Sequence, residues 1–106
     1  MEQIVLNDLD IIFYSIKQHT KLFQVFLFGS RANGHPTQES DIDLCIVADA
    51  VKSRTETLRS IRQDLFAKVE SPLDLLLYSP EEFQSRSSVP NSFEWTISHN
   101  GIRVYG

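Results

Sequence analysis

Helices alternating with short apolar runs predict an α/β (α+β) domain, a small mixed β-sheet with helices packed against it. Three observations carry that expectation. Val25-Phe26-Leu27-Phe28 and Leu73-Asp74-Leu75-Leu76-Leu77-Tyr78 are nearly continuous apolar runs, crowded with aromatic and large aliphatic residues and bounded by turn formers, as buried strands are. Asp41 to Val47 alternates at its start, placing Asp41 and Asp43 on one face and Ile42, Leu44 and Ile46 on the other. Between the strands, apolar residues recur at helical spacing: Leu9, Ile12, Phe13 and Ile16 in one stretch, Leu58, Ile61, Leu65 and Val69 in another. Strand order does not follow from the sequence.

Taken in order, Asn7 or Asp8 can cap a first helix that ends near Thr20, and Leu22 to Phe28 forms the first strand. A polar loop follows Gly29-Ser30 and leads to the second strand, Asp41 to Val47. Ser53-Arg54-Thr55-Glu56 is a capping box that opens the second long helix, with Arg54, Arg59, Arg62 and Lys68 as its solvated face. Pro72 is expected to stop it, because proline can neither donate to nor fit inside a helix. After the third strand, Ser79-Pro80-Glu81-Glu82 is a second capping box with proline at the first helical position, where its missing N–H does no harm. A short helix carrying Phe83 ends around Ser87, and Ser85 to Pro90 is a loop-like stretch of low hydrophobicity. Asn91 or Ser92 then caps a last helix with Phe93 and Ile97 on one face, closed by Asn100-Gly101, and Ile102 to Tyr105 forms a small final strand.

The 106 residues fit one domain, 1–106, with a single modest core. The formal net charge is -4, and no basic block or stripe exists, so nucleic acid is not expected as the main partner. The one cysteine, Cys45, cannot close an internal disulfide and reads as a small packing group. Acids in MEQIVLNDLD stand where a signal peptide needs positive charge, and no apolar run approaches the roughly 18 residues of a membrane span, so a cytoplasmic location is expected. His19, His35 and His99 are in no zinc-ligand spacing.

The chemistry concentrates in Gly29 to Leu44, GSRANGHPTQESDIDL. Glycine lets a phosphate approach the main chain, and Ser30 followed by Arg31-Ala32-Asn33 offers a helix N-cap and free backbone N–H groups that can face an anion. Asp41 and Asp43 project together, about 6.6 Å apart along a strand, and two carboxylates side by side repel unless cations join them. A phosphate cradle beside paired carboxylates implies a metal-bound nucleoside triphosphate. Gly29 to Gly34 also has the spacing of half a Walker A loop, but His35-Pro36 stand where that loop needs Lys and then Ser or Thr.

Gly29-Ser30 followed by Asp41-x-Asp43 resembles the signature of the polymerase-β nucleotidyltransferase superfamily. The short chain is similar to its minimal nucleotidyltransferases, whose members often act beside a HEPN-domain partner in toxin–antitoxin pairs. The resemblance implies the nucleotidyltransferase fold, with a third carboxylate on the strand after the first two, a position Asp74 matches. Asp41, Asp43 and Asp74 would then hold two Mg2+ ions and carry catalysis. Gly29 and Ser30 would hold the β- and γ-phosphates of ATP, with Arg31 neutralising charge. Asn33 stands where the family frequently has arginine, which removes one basic contact. The chain is short for an acceptor domain of its own, so the acceptor hydroxyl is expected on another molecule.

Two functions remain open at this stage: an adenylyltransferase that modifies a partner protein, and a non-catalytic antitoxin-like subunit that blocks a HEPN partner by contact. Trp95, displaced by about 200° from Phe93 and Ile97 on the last helix, is expected to contact another subunit, either that partner or a second copy in a homo-oligomer.

Overall fold

The computed structural model describes residues 3–29, 41–50 and 53–106. Its elements run α1 (Gln3–His19), β1 (Thr20–Phe28), β2 (Ile42–Ala50), α2 (Arg54–Leu65), β3 (Leu73–Tyr78), α3 (Pro80–Ser87), α4 (Phe93–Asn100) and β4 (Ile102–Tyr105). The strands form one mixed sheet in the order β3-β2-β1-β4. β1 is antiparallel to both β2 and β4, whereas β2 and β3, joined through α2, are parallel.

Helices cover both faces of this sheet, and the period of two along each strand decides which residues meet which helices. On one face Val25, Leu27, Leu44, Ile46, Leu75 and Leu77 pack against Leu9, Ile12 and Ile16 of α1 and Ile61 and Leu65 of α2. On the other, Phe26, Cys45, Val47 and Tyr78 meet Phe83 of α3 and Ile97 of α4. The Phe83 ring lies 5.4 Å from that of Phe26 and 5.7 Å from that of Tyr78. Strands buried on both sides have little use for polar residues, which is why β1 and β3 read as near-continuous apolar runs.

Several boundaries differ from the sequence expectation. α1 begins at Gln3, a turn before Asn7, so neither Asn7 nor Asp8 is its cap. It passes directly into β1 at Thr20, whose hydroxyl donates back to the Ile16 carbonyl at 2.9 Å. The buried stripe of α2 is Thr57, Ile61 and Leu65; Leu58 is only half-buried. The helix stops at Leu65, with Phe66 as its C-cap, well before Pro72, and Val69 is buried from the connection beyond it. The boxes at Ser53 and Ser79 hold, each serine oxygen accepting from the N–H three residues on, Glu56 at 3.2 Å and Glu82 at 3.1 Å. Ser92, not Asn91, caps α4 and accepts from Trp95 N–H at 3.0 Å. α3 ends at Ser87 as expected, so Ser85 to Ser87 of the loop-like stretch are helical.

Candidate active site

The sheet topology alone brings distant parts of the chain to one end. Because β1 and β2 are antiparallel, the end of β1 lies beside the start of β2, with Phe28 opposite Asp43. Because β2 and β3 are parallel, both start there too, with Asp43 opposite Asp74. Leu73 pairs with Ile42, and Ile42 N–H donates to the Pro72 carbonyl at 2.8 Å, which locks the two strand starts together. Asp43 and Asp74 therefore lie on the same side of adjacent strands, the side covered farther along by α3 and α4. Asp41, two residues before Asp43, is exposed at the mouth of β2.

The electrostatics of Asp43 follow from this placement. Partial burial comes first, and the negative charges of Asp74 and Asp41 add to it, so its carboxyl is held above the usual carboxylate range. No salt-bridge partner offsets that repulsion among the described residues. Asp74 is exposed, so its place among leucines is explained by its position at a strand start rather than by a buried ion pair.

Gly29 is required here for two reasons. Its φ of 76° lies in the left-handed region that residues with a Cβ rarely adopt. A Cβ at that position would also overlap a carboxylate oxygen of Asp43. The end of β1 thus presses bare backbone against the acid. Ser30, Arg31 and Asn33 lie outside the described residues, as does the polar loop up to Ser40.

The donor set suits a hard divalent cation: carboxylate oxygens only, with mutual repulsion that a cation would relieve. As the side chains stand, no three His, Cys, Asp or Glu among the described residues are already gathered around a common point. Asp43 and Asp74, neighbours in register, with Asp41 two residues before Asp43, are the described carboxylates at this end of the sheet that could hold such an ion.

On the outer side of Gly29 is a feature that sequence reasoning missed. A pocket of about 200 Å³ is bounded by Phe28, Gly29, Phe93, Thr96 and Asn100. Phe93 and Ile97 share a face of α4 by spacing, yet Ile97 is buried, whereas Phe93 is 54% exposed and meets Phe28 edge-on at 5.9 Å and 88°. Helical spacing put the two residues on one face, but Phe93 opens the helix and overhangs the end of the sheet.

Several other polar groups tie the elements together. Tyr78 donates to Glu94 at 2.8 Å and is tied to α4. Cys45 is fully buried, and burial, with the Glu94 charge behind it, pushes its thiol up to about 12, so packing is its role. Trp95 is half-buried and stacks on His99 at 4.2 Å within its own helix. At the far end of the sheet Asp64 accepts from Ser15 at 3.4 Å and pairs with His19 at 2.6 Å. No described helix is long and apolar enough to cross a membrane.

Comparisons with known proteins bear on the family and the fold. Residues 10–106 match the family model described as polymerase beta, nucleotidyltransferase. Among solved structures, a chain of a mutant toxin–antitoxin pair, MntA-HpeT, superposes with a TM-score of 0.53 at 21% identity, over 94% of this chain and 71% of that one. Among curated proteins, none matches by sequence.

Proposed function

The chain belongs to the polymerase beta nucleotidyltransferase family, and from that premise we propose a Mg2+-dependent enzyme that moves AMP from ATP to a hydroxyl on a separate acceptor. The observation that carries this reading is Asp43, wedged between the bare backbone of Gly29 and a second carboxylate, Asp74, with no cation to offset the repulsion among the described residues. A fold gains nothing from that arrangement unless a cation and a phosphate complete it.

In this reading residues 1–106 act as a single minimal nucleotidyltransferase domain. Asp41, Asp43 and Asp74 would hold two Mg2+ ions, which supply charge neutralisation for the entering and leaving oxygens. Gly29 and Ser30 hold the β- and γ-phosphates through backbone N–H groups, and Arg31 neutralises charge beside them. Asp74, on the outer of the two carboxylate-bearing strands, accepts the proton of the acceptor hydroxyl. The hydroxyl oxygen forms a bond to the α-phosphorus, the bond from that phosphorus to the bridging oxygen breaks, and pyrophosphate leaves with the bonding pair.

The acceptor is a protein. The fold shared with a chain of a toxin–antitoxin pair supports a partner protein, of the HEPN type that the family resemblance implies, with modification silencing it. Incubation with labelled ATP, Mg2+ and that partner is expected to label the partner with wild-type chain and not with Asp43→Asn. If both forms inhibit the partner equally and neither labels it, the chain acts by contact alone and the enzymatic reading is wrong.

A further inference from the structure

We propose that the pocket beside Gly29 is the base subsite of the nucleotide, with Phe93 as the stacking residue and Asn100 as the reader of an adenine edge. The inference rests on the nucleotidyltransferase reading above and assigns residues to a part of the substrate that the carboxylates and Gly29 leave unheld.

Position argues for the nucleotide rather than the acceptor. The pocket shares Gly29 with the phosphate-binding turn and opens on the α4 side of β1. Asp74, where the attacking hydroxyl is deprotonated, is on β3, and β2 lies between it and β1. Two strand spacings, roughly 9–10 Å, separate the pocket from that side of the reaction. A group held here is attached to the phosphorylated substrate, not to its attacker.

Shape argues for a flat ring. The volume of about 200 Å³ is below the ~300 Å³ at which pockets hold a whole drug-sized ligand, and so fits one ring system rather than a complete nucleotide. Phe93 and Phe28 stand at 88° to each other and form a corner that can face a heterocycle with one ring and cover its edge with the other. Phe93 is 54% exposed, an aromatic surface whose role in the core Ile97 has already taken.

The polar rim gives the base preference. Thr96 and Asn100 are four residues apart on α4 and so share its face. The Thr96 hydroxyl donates to the Ser92 carbonyl at 3.0 Å, which leaves its oxygen as an acceptor toward the pocket. The Asn100 amide offers one donor and one acceptor, the complement of adenine N7 and its amino group. Guanine presents two acceptors on that edge and leaves the Asn100 oxygen unmatched.

Equilibrium binding of ATP, GTP and inorganic tripolyphosphate to the whole chain, measured calorimetrically with Ca2+ to suppress turnover, tests this. Wild type should bind ATP more tightly than GTP or tripolyphosphate. Phe93→Ala should weaken ATP roughly fivefold to a hundredfold, the scale of a lost base stack, and leave tripolyphosphate unchanged. Asn100→Leu should erase the preference for ATP over GTP. Should Phe93→Ala melt early, Phe93→Leu keeps the bulk, removes the ring and must show the same selective loss. ATP binding unchanged in the Phe93 variants, or wild type binding ATP no tighter than tripolyphosphate, overturns the base subsite and leaves the phosphate site standing. Wild type binding neither ATP nor tripolyphosphate overturns both.

Discussion

Two aspartates at opposite ends of the same sheet are treated in opposite ways. Asp64, with a side chain 41% exposed, has His19 at 2.6 Å and the buried Ser15 hydroxyl at 3.4 Å, and these hold its carboxyl below the usual range. Asp43 is partly buried, and the charged groups that set its carboxyl are two more acids, which hold it above that range. Ordinary folding accounts for the first: an exposed acid gains partners and stabilises an interhelical contact between α1 and α2. The second opposes folding, and it stands at the end of the sheet where the proposed reaction would take place.

The sharpest way to break that comparison is to neutralise Asp43. Asp43→Asn is expected to abolish nucleotidyl transfer and, in EDTA at neutral pH, to melt at or above the wild-type temperature. The sign follows from linkage: a carboxyl raised in the fold disfavours the folded state once ionised, so the variant's gain is present at neutral pH, fades as pH falls through the raised folded value, and is gone below the ordinary 3.8. A variant that melts well below wild type would mean that Asp43 supports the fold as Asp64 does.

Asp74→Ala is expected to lower transfer by about 10²–10⁴-fold, the contribution of a positioned general base, while ATP still binds through the Gly29 side. The same variant should lower the Asp43 pKa toward the ordinary value, readable by NMR titration of the carboxyl carbon. Unchanged turnover would reduce Asp74 to an exposed strand-end acid.

Gly29→Ala introduces a Cβ into both a left-handed φ of 76° and the space of the Asp43 carboxylate. The backbone component alone is worth roughly 1–2 kcal/mol, so the melting point should drop and activity with it. Combining it with Asp43→Gly removes the collision but not the strain. The double variant should therefore recover part of the lost stability, and strict additivity would show that the two residues do not touch in solution.

What the sequence reveals at this site is the pattern; what it hides is the placement. Asp41 and Asp43 are legible because a strand's period of two is read directly from spacing, and Asp74 because an acid inside a leucine run is anomalous on packing grounds. Their meeting depends on β2 and β3 being parallel in the register Asp43 to Asp74, a tertiary fact with no local signal. Thr57 shows the same limit from the other side: hydropathy favours Leu58 for the core of α2, but the packed helix buries Thr57 and leaves Leu58 half out. Phe93 escaped because periodicity gives the face of a helix and not where along the sheet that helix ends.

The smallest expected effect comes from Asp64, and it completes the comparison. Its carboxyl is lowered first by the hydrogen bond with His19; desolvation opposes this, and the His19 charge, the Ser15 hydroxyl and the Lys68 charge then add to the lowering. A lowered carboxyl contributes stability that is present above the ordinary 3.8 and is lost as pH falls through the folded value. Wild type should therefore melt slightly above Asp64→Asn at pH 6, with the two curves converging in the acid limb as the wild-type carboxyl takes up its proton. His19→Ala should remove most of the same difference, because that ring is the main partner. Transfer activity should be unchanged in both variants, since this end of the sheet is a full strand length from Gly29. Parallel melting curves from pH 6 to pH 2 would show that the His19 contact does not persist in solution, and a loss of transfer would show that the two ends of the sheet are not independent.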